Sequence, residues 1–131
     1  MAYVSVGRSY GAFSAAATTK NLVLFTPKVD SVINGVVLNE VVDFAGGAVS
    51  AATLSVGTNS TAYDNLLTAT NVFTGAANGI SNATLGTLGI VVPAGTPVYG
   101  QLLTTSANTS ALTAGRVHVQ LNVEPLVRAQ G

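Results

Sequence analysis

Arg116-Val117-His118-Val119-Gln120-Leu121-Asn122-Val123-Glu124 alternates polar and apolar residues over its whole length. Successive side chains of a strand point to opposite faces, so a period of two predicts a half-buried antiparallel strand. Val117, Val119, Leu121 and Val123 form its dry side, and Pro125 ends it. Upstream, shorter segments of the same character recur. Residues 97–104 follow a turn at Pro93-Ala94-Gly95-Thr96-Pro97, and residues 84–92 carry Gly86 and Gly89, which suit bulges or close backbone approach. Residues 71–75 and 51–57 read as further strands. So do residues 28–33 and 36–44, separated by Asn34-Gly35, the dipeptide of a type I′ hairpin turn. In 36–44 the even positions, Val36, Leu38, Glu40, Val42 and Phe44, form the expected inward face. Residues 21–26 are an apolar run stopped by Pro27.

Polar loops are expected at 58–65, 76–83 and 105–114, and residues 63–70 read either as one helical turn or as a loop with Leu66 and Leu67 tucked under it. The sum is eight or nine short strands with turns every 8–12 residues. Val and Thr, stiff at χ1 and suited to a pleated surface, dominate over charged helix formers. The expected fold is all-β: an antiparallel two-sheet β-sandwich of jelly-roll type over residues 21–131. Residues 1–20, rich in Gly, Ala and Ser, read as an N-terminal arm. Ala15-Ala16-Ala17-Thr18-Thr19 is too short to hold a helix alone. A first strand packed on the sandwich is the other reading of this segment.

Charge is the second strong signal. From Asn65 through Gly115 there is no Asp, Glu, Lys, Arg or His, and back to Phe44 only Asp64 interrupts. The chain of 131 residues is 8% charged with net charge zero, against roughly 25% for an ordinary soluble domain. So few charges give a lone monomer little colloidal protection, and the simplest remedy is that much of its surface is covered by neighbours. Zero net charge argues against a nucleic-acid partner. Thr, Asn, Ser and Gly recur too often for a membrane-spanning helix, and aromatics, at 6%, are too few for the girdles of a membrane barrel. The first residues lack a cationic start and an apolar core, so no signal peptide is expected. Without cysteine there is neither a disulfide framework nor a thiolate metal site.

Candidates for chemistry are few. Gly7-Arg8-Ser9-Tyr10-Gly11 matches the letters of a nucleophile elbow, but that device needs a strand before it and a helix after it. His118 stands alone on the wet face of the last strand. Glu40 and Asp43, three apart in one strand, point to opposite faces. Asp30 and Glu40 would come near each other if the Asn34-Gly35 hairpin closes. The 58–65 loop offers one carboxylate, Asp64, among neutral oxygens, too little for calcium. The expectation is no catalytic residue, no cofactor and no metal. Short neutral side chains order with little entropy lost, so a surface of Thr, Asn, Ala and Val suits contact between copies.

Specific runs carry a resemblance. Val37-Leu38-Asn39-Glu40-Val41-Val42-Asp43-Phe44-Ala45-Gly46-Gly47 is followed by Ala52-Thr53-Leu54-Ser55-Val56-Gly57. Then come Tyr63-Asp64-Asn65-Leu66-Leu67-Thr68-Ala69-Thr70-Asn71-Val72 and Leu112-Thr113-Ala114-Gly115-Arg116-Val117-His118-Val119. Together they resemble small virion proteins of tailed phages, over residues 36–124. The resemblance implies a capsid decoration (cement) protein: a β-sandwich, often a homotrimer, on the outer capsid surface where major capsid protein subunits meet. Such proteins clamp the shell against the pressure of packaged DNA. Residues 1–20 fall outside the match. As an arm they would lie across the shell or a neighbouring copy, with Tyr3, Arg8, Tyr10 and Phe13 as contact residues. The alternative is a tail or head-fibre protein that binds a host surface glycan, for which Tyr63 and Tyr99 are the candidate platform.

Overall fold

The computed structural model describes residues 2–58, 63–73, 79–81 and 90–126; of residues 2, 3, 39–41, 68 and 79–81 it describes the backbone alone. Among the described residues nine strands form two antiparallel sheets. Sheet A takes the order β1 (Ala2–Ser9), β9 (Ala114–Pro125), β3 (Ser31–Ala45), β6 (Gly79–Ser81), with β7 (Ile90–Val92) also on the far side of β3. Sheet B takes the order β2 (Thr19–Phe25), β8 (Val98–Thr105), β4 (Ala51–Gly57), β5 (Leu67–Asn71). The pairs β1–β9, β2–β8, β3 with β6 and β7, and β4–β5 are nested one inside the next. They alternate between the sheets, so the chain is one long hairpin wound into a sandwich. That is jelly-roll topology, as the strand spacing predicts.

β9 carries sheet A. Its alternation holds as read: Val117, Val119, Leu121 and Val123 are buried between the sheets. They face Leu54, Val56, Val98 and Leu102 of sheet B within one continuous core. Leu66 and Leu67 are buried, but Leu67 opens strand β5 and is held there by the sheet, where a helical turn or a loop was expected. The strand expected at 71–75 lies earlier, at Leu67–Asn71. Of the strand expected at 84–92, β7 occupies 90–92, and 82–89 lie outside the described residues.

Asn34-Gly35 makes no hairpin. A type I′ turn needs positive φ at both central residues, and neither residue has it. Instead β3 runs through unbroken and pairs with β9, from Ser31 opposite Pro125 to Ala45 opposite Ala114. Between Ile33 and Gly35 the register slips by one residue, a bulge that leaves Asn34 unpaired. The slip moves burial from odd positions (Ser31, Ile33) to even ones (Val36, Leu38). A second irregularity between Glu40 and Val42 turns Val42 outward, 46% exposed, while Phe44 is fully buried. The even-numbered inward face therefore holds at Val36, Leu38 and Phe44 and fails at Val42. Asp30 and Glu40, expected to approach across the turn, instead stand ten residues apart along an extended chain, roughly 30 Å.

Residues 2–20 are built into the sandwich, as the second reading of that segment had it. All eight residues of β1 pair with β9, from Ala2 opposite Val123 to Ser9 opposite Arg116. A 3-10 turn, Tyr10–Phe13, then drops Phe13 into the core at 1% exposure. There it meets Phe44 edge-on, with ring centroids 6.0 Å apart. The 105–114 loop pins the stretch that follows: Thr109 N donates to Ala17 O at 2.8 Å, Ser110 N to Ala15 O at 3.0 Å, and Thr104 N to Thr18 O at 2.7 Å. Gly115 makes room for the aromatic pair. Its φ is +142°, and a Cβ there would lie 2.5 Å from Phe44 Cγ.

Candidate interaction surface

The two outer faces of the sandwich differ in chemistry. On sheet A, cross-strand rows read Ser5–Gln120–Val37, Gly7–His118–Asn39 and Ser9–Arg116–Val42. Glu124 lies beside Val32, and its Oε2 accepts a 2.9 Å bond from Asn34 Nδ2, the side chain freed by the bulge. The imidazole of His118 rests over Gly7, where a Cβ would come within 2.9 Å of Nε2. This face carries charge of both signs, as a solvated antiparallel face ordinarily does.

On sheet B the rows read Val23–Tyr99–Gly57, Asn21–Gln101–Ser55 and Thr19–Leu103–Thr53–Asn71. Thr105 and Ala51 complete it. None of these residues is ionisable at neutral pH. Lys20, on edge strand β2, falls in the inward register opposite Leu102. Two aliphatic side chains stand well into solvent here, Val23 at 47% and Leu103 at 45%, whereas Ser55 in the middle is 4% exposed. The face is neutral and mostly polar, with Val23, Tyr99, Leu103 and Ala51 as its apolar residues.

At one end of sheet B residues 63–65 lie over Gly57. Thr58 N donates to Asn65 Oδ1 at 2.7 Å, and Asn65 Nδ2 returns a bond to Thr58 Oγ1 at 3.1 Å. Tyr63, at φ +49°, stands against Tyr99 with ring centroids 4.8 Å apart and planes tilted by 55°. The two tyrosines chosen from sequence as a sugar platform therefore do meet. They pack against each other, which occupies part of each ring.

The other sequence candidates are scattered. Tyr3 lies opposite Asn122 in β1, and its side chain is outside the described residues. Arg8 is half-buried in the inward register opposite Val117 and donates from Nη1 to Gly7 O at 2.8 Å. Tyr10 is exposed and Phe13 buried. Of the four proposed contact residues, Phe13 is thus a core residue, because the turn after β1 points it inward. Ser9 ends β1 and is followed by a single 3-10 turn, not the helix an elbow requires. It is one row from His118, but Asp64 lies beside Gly57 on the other sheet, so the three do not converge. Among the described residues no three His, Asp or Glu side chains group as metal ligands. No helix among the described residues is long and apolar enough to cross a membrane. The neutral face of sheet B was not legible in the sequence: the charge-free run was visible, but not that four separate strands would place it on one side.

Fold and surface together define a jelly-roll module with one charged and one neutral outer face. No family model matches the chain, and no curated protein matches it. Among solved structures it is similar to a chain of the cyanophage Pam1 capsid asymmetric unit, with a TM-score of 0.59 and 20% identity. The match covers 95% of this chain and 82% of that one. At that identity the likeness is one of fold.

Proposed function

We propose that the protein is a structural component of a phage virion, and within it a capsid cement protein. It binds the outer surface of the major capsid shell as a homotrimer and stabilises the shell, without cofactor and without catalysis. The observation that carries this reading is the fold likeness, over 95% of this chain and 82% of the other, to a component of a phage capsid asymmetric unit. The matched chain is of similar length, so the likeness is between two small sandwiches and not to a fragment of a large shell subunit. The low charge supports the same reading, since a neutral face loses little on desolvation when covered. Of the sequence-chosen contact residues, Arg8 and exposed Tyr10 remain candidates for the shell. Tyr3 does too, on the backbone placement of β1.

The test is to add purified protein to mature shells that lack it. Saturable binding at a fixed copy number, with a rise in the temperature at which shells release DNA, is the expected result. No binding to shells of any maturation state refutes it. The alternative, a fibre protein that binds a host glycan, rests on the Tyr63–Tyr99 contact. A glycan array with Tyr99→Ala as control decides it: a sugar bound by the wild type and lost in the variant favours the fibre reading.

A further inference from the structure

We propose that the outer face of sheet B is where the protein meets further copies of itself, turned toward the symmetry axis of the oligomer, while the charged outer face of sheet A stays out of that contact. The inference rests on the self-association in the reading above and not on shell binding.

Charge is spread unevenly over the fold. Arg116, His118 and Glu124 lie on the outer face of sheet A. Lys28 and Asp30 lie in the loop between β2 and β3. Arg8 and Lys20 occupy inward registers of edge strands. Asp64 sits at the rim of sheet B beside Gly57. No charge projects from the outward positions of the four strands of sheet B. An antiparallel sheet with one solvated face normally marks that face with charge, and sheet A does so. Loss of charge at the centre of a patch, more than apolarity, is what distinguishes interface surface. The aliphatic pair Val23 and Leu103 and the Tyr63–Tyr99 pair supply the apolar area.

Symmetry selects the occupant. Around a rotation axis each residue approaches its own copies, so any charge near the axis meets its like. Arg116 or Glu124 at an axis would repel its images in a dry contact, where screening is weak. Thr53, Leu103 and Gln101 meet theirs with no such cost. Four strands at about 4.8 Å, and about 3.4 Å per residue along β8 (8 residues), bound a face of about 19 by 27 Å, or about 500 Å² per copy. Around a three-fold axis each copy divides that area between two neighbours, so each contacting pair buries about 500 Å² in total, the size of a weak contact, and the oligomer is expected to dissociate on dilution.

Sedimentation velocity and native mass measurement test this on the full chain. The wild type should run as a closed oligomer whose mass is unchanged by added salt. Leu103→Lys and Thr53→Lys, both on the neutral face, should reduce it to monomer with the β circular-dichroism signal retained. The lysine stem can lie over the sheet while its head reaches water, and either folded variant suffices. Gln120→Lys, exposed on sheet A, should leave the mass unchanged. A monomeric wild type overturns the proposal, as do sheet B variants that keep the wild-type mass, or a sheet A control that dissociates equally. Shell binding by the same samples separates the two readings. A wild type that oligomerises without binding shells sinks the cement reading alone; a monomer that binds shells sinks this one alone.

Discussion

Phe13→Ala is the sharpest probe of how residues 2–20 belong to the fold. The side chain is 1% exposed and meets Phe44 edge-on at 6.0 Å. Truncating a buried Phe costs roughly 3–5 kcal/mol, of which an edge-to-face pair accounts for about 0.5–1.5 kcal/mol. Phe13 sits under a single 3-10 turn at the sandwich end, which can partly collapse into the space left, so the lower end, about 3 kcal/mol, is expected. With a urea slope of about 2 kcal/mol/M for a domain of this size, the unfolding midpoint should fall by about 1.5 M. The assay is equilibrium urea unfolding followed by circular dichroism. Protein concentration is held fixed because self-association adds to apparent stability. Phe44→Leu closes a double-mutant cycle, with a coupling of about 1 kcal/mol expected. Were residues 1–20 a free arm, the substitution would act as a surface change, within about 0.5 kcal/mol and so about 0.25 M. A shift that small refutes the placement of Phe13 in the core. It would also mean that deleting residues 2–20 leaves the fold intact; the structure predicts instead that the deletion unfolds the domain.

Three further outcomes follow from single positions. Gly115→Ala places a methyl 2.5 Å from Phe44 Cγ at a positive φ and should cost at least about 2 kcal/mol, read as a lowered thermal midpoint. Thr109→Val removes the 3.2 Å bond from Oγ1 to Ala15 O but leaves that carbonyl its backbone donor Ser110 N; about 1 kcal/mol should be lost in urea unfolding. Gly7→Ala should displace the imaginable neighbour alone, the His118 ring over it: its NMR resonances should move while stability falls by less than about 1 kcal/mol, because a side-chain tip yields more readily than backbone.

Much of the architecture was legible because it is written in short-range rules. β9 reads directly from its alternation, since period two has one meaning in a strand with one dry face. Leu66 and Leu67 could be placed inside because two adjacent leucines among polar neighbours have nowhere else to go, although the strand that Leu67 opens was not foreseen. Asn34-Gly35 misled for a physical reason: the dipeptide permits a hairpin, but pairing of the whole of β3 with β9 supplies more ladder bonds and more buried area than a local turn, and the dipeptide is used as a bulge. Phe13 misled because an aromatic residue in a Gly/Ala-rich terminus has the same local pattern whether it waits for a partner or fills its own core.

Taken alone, the sequence determined that this is an all-β sandwich with too little charge for an ordinary wet surface, because strand period and composition survive without knowing what pairs with what. Which residues share a face was decided only by the tertiary structure. Val23, Leu103, Thr53 and Asn71 come from four strands far apart along the chain, and winding of the long hairpin alone lays them side by side. The same winding carries Arg116, His118 and Glu124 to the opposite face, since sheet membership alternates along the chain.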